Sequence, residues 1–475
     1  MNQQTKWSQF SILISLFFFW GFVAASNDIL IPVFKEYLHL SQSQSQLVSL
    51  AFYISYTVGS VLYYFISKLL HQDILNKIGY ANGISLGLII SAVGTLLFYP
   101  AAETGSFYLM ISGLFIVGLG FSLQQTAANP LTILMGDPSK GSQRLSMAGG
   151  INNLGTTIGP ILVSMAIFGV HSSTNPYKLN IEGIKIPYLT LGVAFLLAAV
   201  LFKFFFKDTD VKEINKDTRI DEANTQKFEI KKYPQLLLGM LAIFIYVGVE
   251  VSTVGNLPEF IRQHTSIPLE QTASFISLYW ASLMVGRWSS SVGLFGLKGF
   301  ANTLMRFIIP YLAFAVFLLI NYLAKHDISV FYVYAGIIFI ITLADLASKD
   351  DPVKQLLIFS LMGIFALLIG IFSSGMVSLY AFISVGLFCS TLWPCIFTLS
   401  IAGLGKFTSK GSSFLIMMIM GGGWISWLQG YLADEGRLGI KYSYFIGVAC
   451  FLYLAYFAWA SKKTLTTQGI EYNKK

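Results

Sequence analysis

The chain has 475 residues, 55% hydrophobic and only 11% charged, with a formal net charge of +8. Soluble domains carry about 25% charged residues, so composition excludes a water-facing globule of this size. The basic excess lies in loops between apolar runs, which excludes a nucleic-acid footprint and fits the charge bias of membrane loops.

A membrane-crossing helix needs about 20 apolar residues. In chain order, candidate runs cover 11–33, 47–70, 81–99, 107–134, 145–170 and 186–206. Residues 207–233, rich in Lys, Asp and Glu, read as a linker. The second half offers 236–261, 275–295, 300–323, 328–343, 356–373, 377–401, 414–432 and 442–460. The expected fold class is an all-α polytopic membrane protein of about fourteen spans. Its expected parts are an N-terminal transmembrane bundle over 1–206, a cytoplasmic linker over 207–233 and a C-terminal bundle over 234–475. Lys6, the apolar run from Phe10 and Ala24-Ala-Ser26 imitate a signal peptide. Apolar character resumes at Ile29, Leu30 and Ile31, so this segment reads as an uncleaved first helix.

With the N-terminus inside, the cytoplasmic loops hold Lys77, Lys140, Arg144, the linker, Lys298, Lys349, Lys354, Lys406 and Lys410, and the tail holds Lys462 and Lys463. The outer loops hold fewer basic residues, among them Lys178, Lys185, Arg437 and Lys441. The bias predicts two cytoplasmic termini, and the expected location is an inner (plasma) membrane. The halves also echo one another. Ser49 to Gly59 resembles Ser277 to Gly286, Asn129-Pro130 is matched by Trp393-Pro394, and Ser139-Lys-Gly-Ser142 by Ser409-Lys-Gly-Ser412. Three matches in one order suggest a parallel repeat, an arrangement that places a substrate site between halves.

The chemistry concentrates in 118–130 and 149–160, where Gln124, Gln125, Asn129, Asn152 and Asn153 interrupt apolar runs. An unpaired amide in apolar surroundings costs roughly 2–7 kcal/mol, so these groups are expected to line a polar cavity. Asp28 is the only acid of the first span, and Glu250 lies deeper in the seventh. Ionisable groups at such depth are functional candidates by default. The structural alternatives are a solvated Asp28 at a helix mouth and a Glu250 paired with Arg287 for packing alone. Tyr279, Trp280, Trp393, Trp424 and Trp427 offer faces on which a sugar ring can stack, although interfacial belts use the same residues. The glycine clusters at 149–150, 155–159 and 421–423 read as close helix packing.

Other chemistries lack support. Gly83-Ile-Ser-Leu-Gly87 fits a hydrolase pattern, but that reaction needs a strand-to-helix turn and a histidine partner. All five histidines fall at segment ends or in loops. Cys389, Cys395 and Cys450 show neither disulfide nor metal spacing, and no Walker A, H-E-x-x-H or dinucleotide motif occurs. No enzyme, metal site or cofactor is expected.

Asn27-Asp28-Ile-Leu-Ile-Pro32, Gln125-Thr-Ala-Ala-Asn-Pro130, Asn152-Asn-Leu-Gly155, Gly386 to Pro394, Gly403 to Ser413 and Gln429 to Asp434 together resemble the fucose/proton symporter and glucose/galactose transporter family of the major facilitator superfamily. The resemblance covers nearly the whole chain. It implies a twelve-helix core of two pseudo-symmetric six-helix bundles working by alternating access. It also implies proton coupling and sugar contact at the acid matching Asp28 and at a glutamate where this chain has Gln125. Gly149 stands where the fucose pattern has glutamine, and Cys389 where it has asparagine. These departures favour another hexose or an amino sugar over fucose. The runs 300–323 and 328–343 form an extra transmembrane hairpin (298–349), hence fourteen spans.

The expected function is proton-coupled uptake of a monosaccharide. Asp28 and Glu250 are the candidate proton-coupling groups. The substrate candidates are Asn27, Gln124, Gln125, Asn129, Asn152, Asn153, Asn256, Tyr279, Trp280, Trp393, Trp424 and Gln429. The expected partners are the sugar, a proton or sodium ion and the lipid bilayer, with the chain a monomer. A uniporter or sodium-coupled carrier is the nearest alternative. A non-transporting sugar sensor is the alternative of another class.

Overall fold

Inside a bilayer every backbone polar group must be satisfied within the protein, and the apolar runs meet that demand as helices. The computed structural model describes residues 7–37, 40–70, 74–136, 141–168, 185–205, 228–434 and 436–470, and their regular structure is entirely helical. The first half comprises α1 (Trp7–Tyr37), α2 (Leu47–Leu69), α3 (Tyr80–Leu96), α4 (Phe107–Leu134), α5 (Gly141–Phe168) and α6 (Lys185–Phe205). The second begins with α7 (Pro234–Gly255), α8 (Leu269–Ser291), α9 (Gly299–Leu323), α10 (Tyr334–Ser348) and α11 (Pro352–Phe372). It continues with α12 (Gly375–Cys389), α13 (Leu392–Ile401), α14 (Thr408–Met417), α15 (Gly421–Ala433) and α16 (Phe445–Thr467). Of the linker, 207–227 lie outside the described residues. At its end Phe228 stacks on Tyr233 and Phe414.

Among the described residues, eleven segments are long and apolar enough to cross a membrane. That is fewer than the fourteen expected. Polar residues such as Asn152 and Asn153 in α5, and Arg287 and several serines in α8, lower the apolarity of those helices, while α6 offers only Tyr188–Phe204. Two expected continuous spans are also broken. The run 236–261 is interrupted at Asn256, with Pro258 in the first turn of the short helix Leu257–His264. The run 377–401 is interrupted at Ser390 and Thr391, because Pro394 has no N–H to bond the carbonyl four residues back.

Helix ends carry their own caps. Ser106 accepts from the Leu109 N–H before α4, and the Asp351 carboxylate accepts from Val353 and Lys354 N–H before α11. In the first half α1 packs on α5, and α4 packs on α2 and α3, with α6 outside α3. In the second, α7 packs on α15 and α16, and α11 on α12 and α16. The halves meet along two seams, α5 against α8 and α2 against α14 and α15. The α9–α10 hairpin packs on α8, and Phe300, Leu312 and Leu319 on its outer side are exposed. Large apolar side chains elsewhere on the outside, such as Leu69, Phe204 and Phe365, fit a lipid-facing surface.

The α1–α5 contact depends on missing side chains. A Cβ on Gly155 would lie 2.1 Å from the Phe18 carbonyl oxygen, and one on Gly21 would lie 1.9 Å from that of Asn152. Backbone atoms cannot move aside as a flexible side chain can. Gly155→Ala should therefore destabilise the protein by roughly 1–3 kcal/mol. Gly336→Ala on α10, whose Cβ would meet nothing within 4 Å, should be neutral or slightly stabilising. Thermal unfolding of both variants in detergent checks the contrast, and equal losses would contradict it.

Candidate functional site

Between the two seams lies a cavity of about 790 Å³, counting the part open to solvent. Its first-half wall includes Trp20, Tyr56, Gln125, Asn129, Gly149 and Asn152, on α1, α2, α4 and α5. Its second-half wall includes Tyr246 and Glu250 of α7, Trp280 and Arg287 of α8 and Trp393 of α13. Among the described lining residues, Glu250 is the only acid and Arg287 the only strong base.

The amides on the first wall are partly committed. Gln125 Nε2 donates to the Tyr56 hydroxyl at 3.1 Å, and Asn152 Nδ2 donates to the Phe17 carbonyl at 2.9 Å. These bonds orient both side chains and leave their carbonyl oxygens as acceptors. Asn129 is 2% exposed, and its Nδ2 has no hydrogen-bond partner among the described residues. The wall thus combines acceptors with one wholly uncommitted amide nitrogen, which suits a guest that both donates and accepts.

On the opposite wall the broken helix places a charge. Pro394 leaves the Ser390 carbonyl without its helical partner, and Arg287 Nε donates to that oxygen at 2.9 Å. Arg287 Nη2 donates to the Tyr246 hydroxyl at 3.2 Å, and Nη1 reaches across the seam to the Gly149 carbonyl at 3.3 Å. A Cβ on Gly149 would lie 2.8 Å from Nη1, so a small residue there makes room for the guanidinium. Arg287 acts electrostatically on Glu250, and the Tyr246 side chain hydrogen-bonds to it. Trp393 lies against Tyr246, with ring centroids 6.2 Å apart, and Trp280 against Tyr279 at 5.5 Å. Tryptophan faces from α8 and α13 therefore flank a charged, amide-lined space.

Of the expected site residues, Gln125, Asn129, Asn152, Glu250, Trp280 and Trp393 line this cavity. The side chains of Asn27 and Asp28 lie outside the described residues. The others sit away from this cavity. Gln124 is sealed inside the first half, accepting from Trp20 Nε1 at 2.6 Å and donating to Ser91 at 3.0 Å. Asn153 is buried and donates to Thr156. Tyr279 is buried, with its hydroxyl donating to the Glu250 backbone carbonyl. Trp424 is 41% exposed on the outside of α15, edge-on to Trp427. Gln429 is buried beyond the lining, and Asn256 bonds Gln42 instead. The physical reason is helical geometry. Neighbours such as Gln124 and Gln125, or Asn152 and Asn153, point about 100° apart, so only one of each pair can face the space.

The sequence marks Arg287 only as a packing partner, and Tyr56, Tyr246 and Trp20 are not among its candidates. Arg287 carried a usable signal, as a charge inside an apolar run. The tyrosines carried none, being two of twenty-four. Ser85 of the hydrolase-like pattern donates to the Ala199 carbonyl at 3.0 Å, a contact between α3 and α6.

A family model of the Major Facilitator Superfamily matches residues 11–346. The glucose/galactose transporter of Brucella abortus biovar 1 (strain 9-941) is 30% identical over 454 residues, covering 95% of this chain and 93% of that protein. The L-fucose-proton symporter of Escherichia coli (strain K12) is 27% identical over 471 residues, covering 96% and 94%. Among solved structures, the transporter FucP in the outward conformation superposes with a TM-score of 0.62 at 25% identity, covering 95% of this chain and 98% of FucP.

Proposed function

Because the chain belongs to the major facilitator superfamily, we propose that it is a secondary active sugar transporter, taking up a monosaccharide with protons by alternating access. The observation that carries this reading is the cavity between the halves, where Gln125, Asn129 and Asn152 face Glu250 and Arg287 across a space flanked by Trp280 and Trp393. Sugar hydroxyls donate and accept, so they match amide walls, while the apolar faces of the ring match indole rings. The glucose/galactose and fucose names of the relatives point to a hexose. Gln125 and Gly149, where the fucose pattern has glutamate and glutamine, favour a hexose other than fucose or an amino sugar.

Asp28 and Glu250 are the proposed proton-coupling groups, and Gln125, Asn129 and Asn152 the proposed sugar contacts. Fourteen crossings, cytoplasmic termini in an inner membrane and a monomeric state complete the proposal. An even number of inserted spans, α9 and α10, preserves the orientation of everything after them.

Purified protein in proteoliposomes, offered a panel of labelled sugars with and without an imposed pH gradient or sodium gradient, tests the reading. Accumulation of one hexose driven by acid outside is the expected result. Sodium-driven accumulation would favour the sodium symporter, and gradient-independent equilibration the uniporter. Saturable binding without flux would identify a sensor and sink the transport reading. A narrower test addresses the uncommitted donor. Asn129→Leu should raise the KM for the transported sugar by about three- to tenfold, the loss of one neutral hydrogen bond. The unfolding temperature should hold, and an unchanged KM would remove Asn129 from the site.

A further inference from the structure

At the cavity end where α1 leads into α2, the halves are joined by polar contacts that the transport site does not use. Lys35 Nζ, at the end of α1, pairs with Glu259 Oε2 of the second half at 2.8 Å and also donates to Gln42 Oε1 at 2.8 Å. Gln42 Nε2 donates across the seam to Asn256 Oδ1 at 3.0 Å. One turn on, Gln46 Nε2 donates to the Gly255 carbonyl at 2.9 Å. Asp434, just beyond α15, accepts from the backbone N–H groups of Gln42 and Ser43 at 3.1 and 3.4 Å. Gln42, Gln46 and Asn256 are all buried, and the Glu259 side chain is 8% exposed.

Each principal partner also has a bond within its own half. Glu259 keeps Arg262 Nε at 3.0 Å and Gln263 Nε2 at 2.6 Å. Asn256 donates to the Ser252 carbonyl at 2.9 Å. Lys35 and Gln42 keep one another, since both belong to the first half. Separation therefore leaves no charge without a partner, and incoming water replaces the cross-seam bonds. An apolar seal of the same extent would resist opening in proportion to the area exposed. A hydrogen-bonded one exchanges protein partners for water at small net change.

We propose that Lys35–Glu259 and Gln42–Asn256 form a separable polar latch that closes this mouth between the halves and parts during transport. It rests on the alternating-access reading. The glycines around it serve the same closure: a Cβ on Gly430 would lie 3.1 Å from Gln46 Cγ, and one on Gly423 would lie 2.7 Å from Leu50 Cα. The halves can thus approach closely enough for the amides to meet. The proposal also explains why Asn256 is absent from the cavity.

The test needs no substrate, so its failure is separable from failure of the sugar assignment. Spin labels at Thr104→Cys and Ser266→Cys, both exposed and on opposite halves, report the width of the mouth in full-length protein in lipid nanodiscs. Lys35→Met should raise the population at long distance by at least about threefold. Gln42→Leu combined with Asn256→Leu should shift it the other way, because an apolar contact does not yield to water. A melting temperature near that of the parent establishes that each variant is folded. A distance distribution like that of the parent in either folded variant would overturn the latch.

Discussion

Glu250→Gln is expected to abolish sugar accumulation driven by an imposed pH gradient while leaving sugar exchange at equal pH within about threefold of the parent. Each pH unit across the membrane stores roughly 1.4 kcal/mol per proton, enough for about tenfold accumulation when one proton accompanies one sugar. A variant that cannot bind the proton should collapse that ratio to about unity, so two pH units separate the proteins by about a hundredfold. The expectation rests on placement. Glu250 is the only acid among the described cavity-lining residues, beside the Arg287 charge and hydrogen-bonded to Tyr246. Glutamine preserves its size and polarity but not its proton. Coupling requires that proton and sugar each change the balance between outward and inward states, and each then changes the affinity for the other. The parallel variant Asp28→Asn should show the same separation of accumulation from exchange. Undiminished acid-driven accumulation in either variant would remove that acid from the coupling mechanism.

Arg306→Met is expected to destabilise the protein by roughly 3–5 kcal/mol, the cost of leaving a buried carboxylate without its counter-ion. Arg306 on α9 donates to Asp345 on α10 at 2.8 Å, and both side chains are 3% exposed. Its other branch reaches the half-exposed Asp350 at 2.6 Å. Asp345 also accepts from Gln355 of α11 at 2.9 Å and from Ser289 of α8 at 3.3 Å. One carboxylate therefore ties the α9–α10 hairpin to two helices of the bundle, and removing the arginine loosens all of them. Arg306→Met combined with Asp345→Leu should recover most of the loss, since an apolar pair of similar volume carries no desolvation penalty. Melting curves in detergent for both single variants and the double variant close the cycle. Additive losses, with no recovery in the double variant, would show that the two charges do not depend on each other.

The residues differ in how legible they were beforehand. Asp345 and Arg306 stand out in the sequence as charges inside apolar runs, yet their partnership spans 39 positions, and only the turn between α9 and α10 brings them together. Glu250 was legible as a deep acid, but not its setting. Pro394 frees the Ser390 carbonyl, that carbonyl holds Arg287, and Arg287 is thereby held where it acts on Glu250. Each link is chemically simple, but the chain of links runs through three helices distant in sequence.

The sequence by itself determined that this protein lies in a membrane as bundled helices, because apolar runs near bilayer length with few charges have no other stable arrangement. It also determined that polar groups gather in α4, α5 and α7, since an amide or acid stands out against an apolar background. Tertiary structure alone decided which of them face the cavity. A helix turns by about 100° per residue, so Gln125 meets the space while Gln124 is sealed against Trp20, and Asn256 is drawn into the contact between halves. That outcome depends on the rotation of each helix about its axis, which packing against its neighbours sets and a linear pattern does not encode.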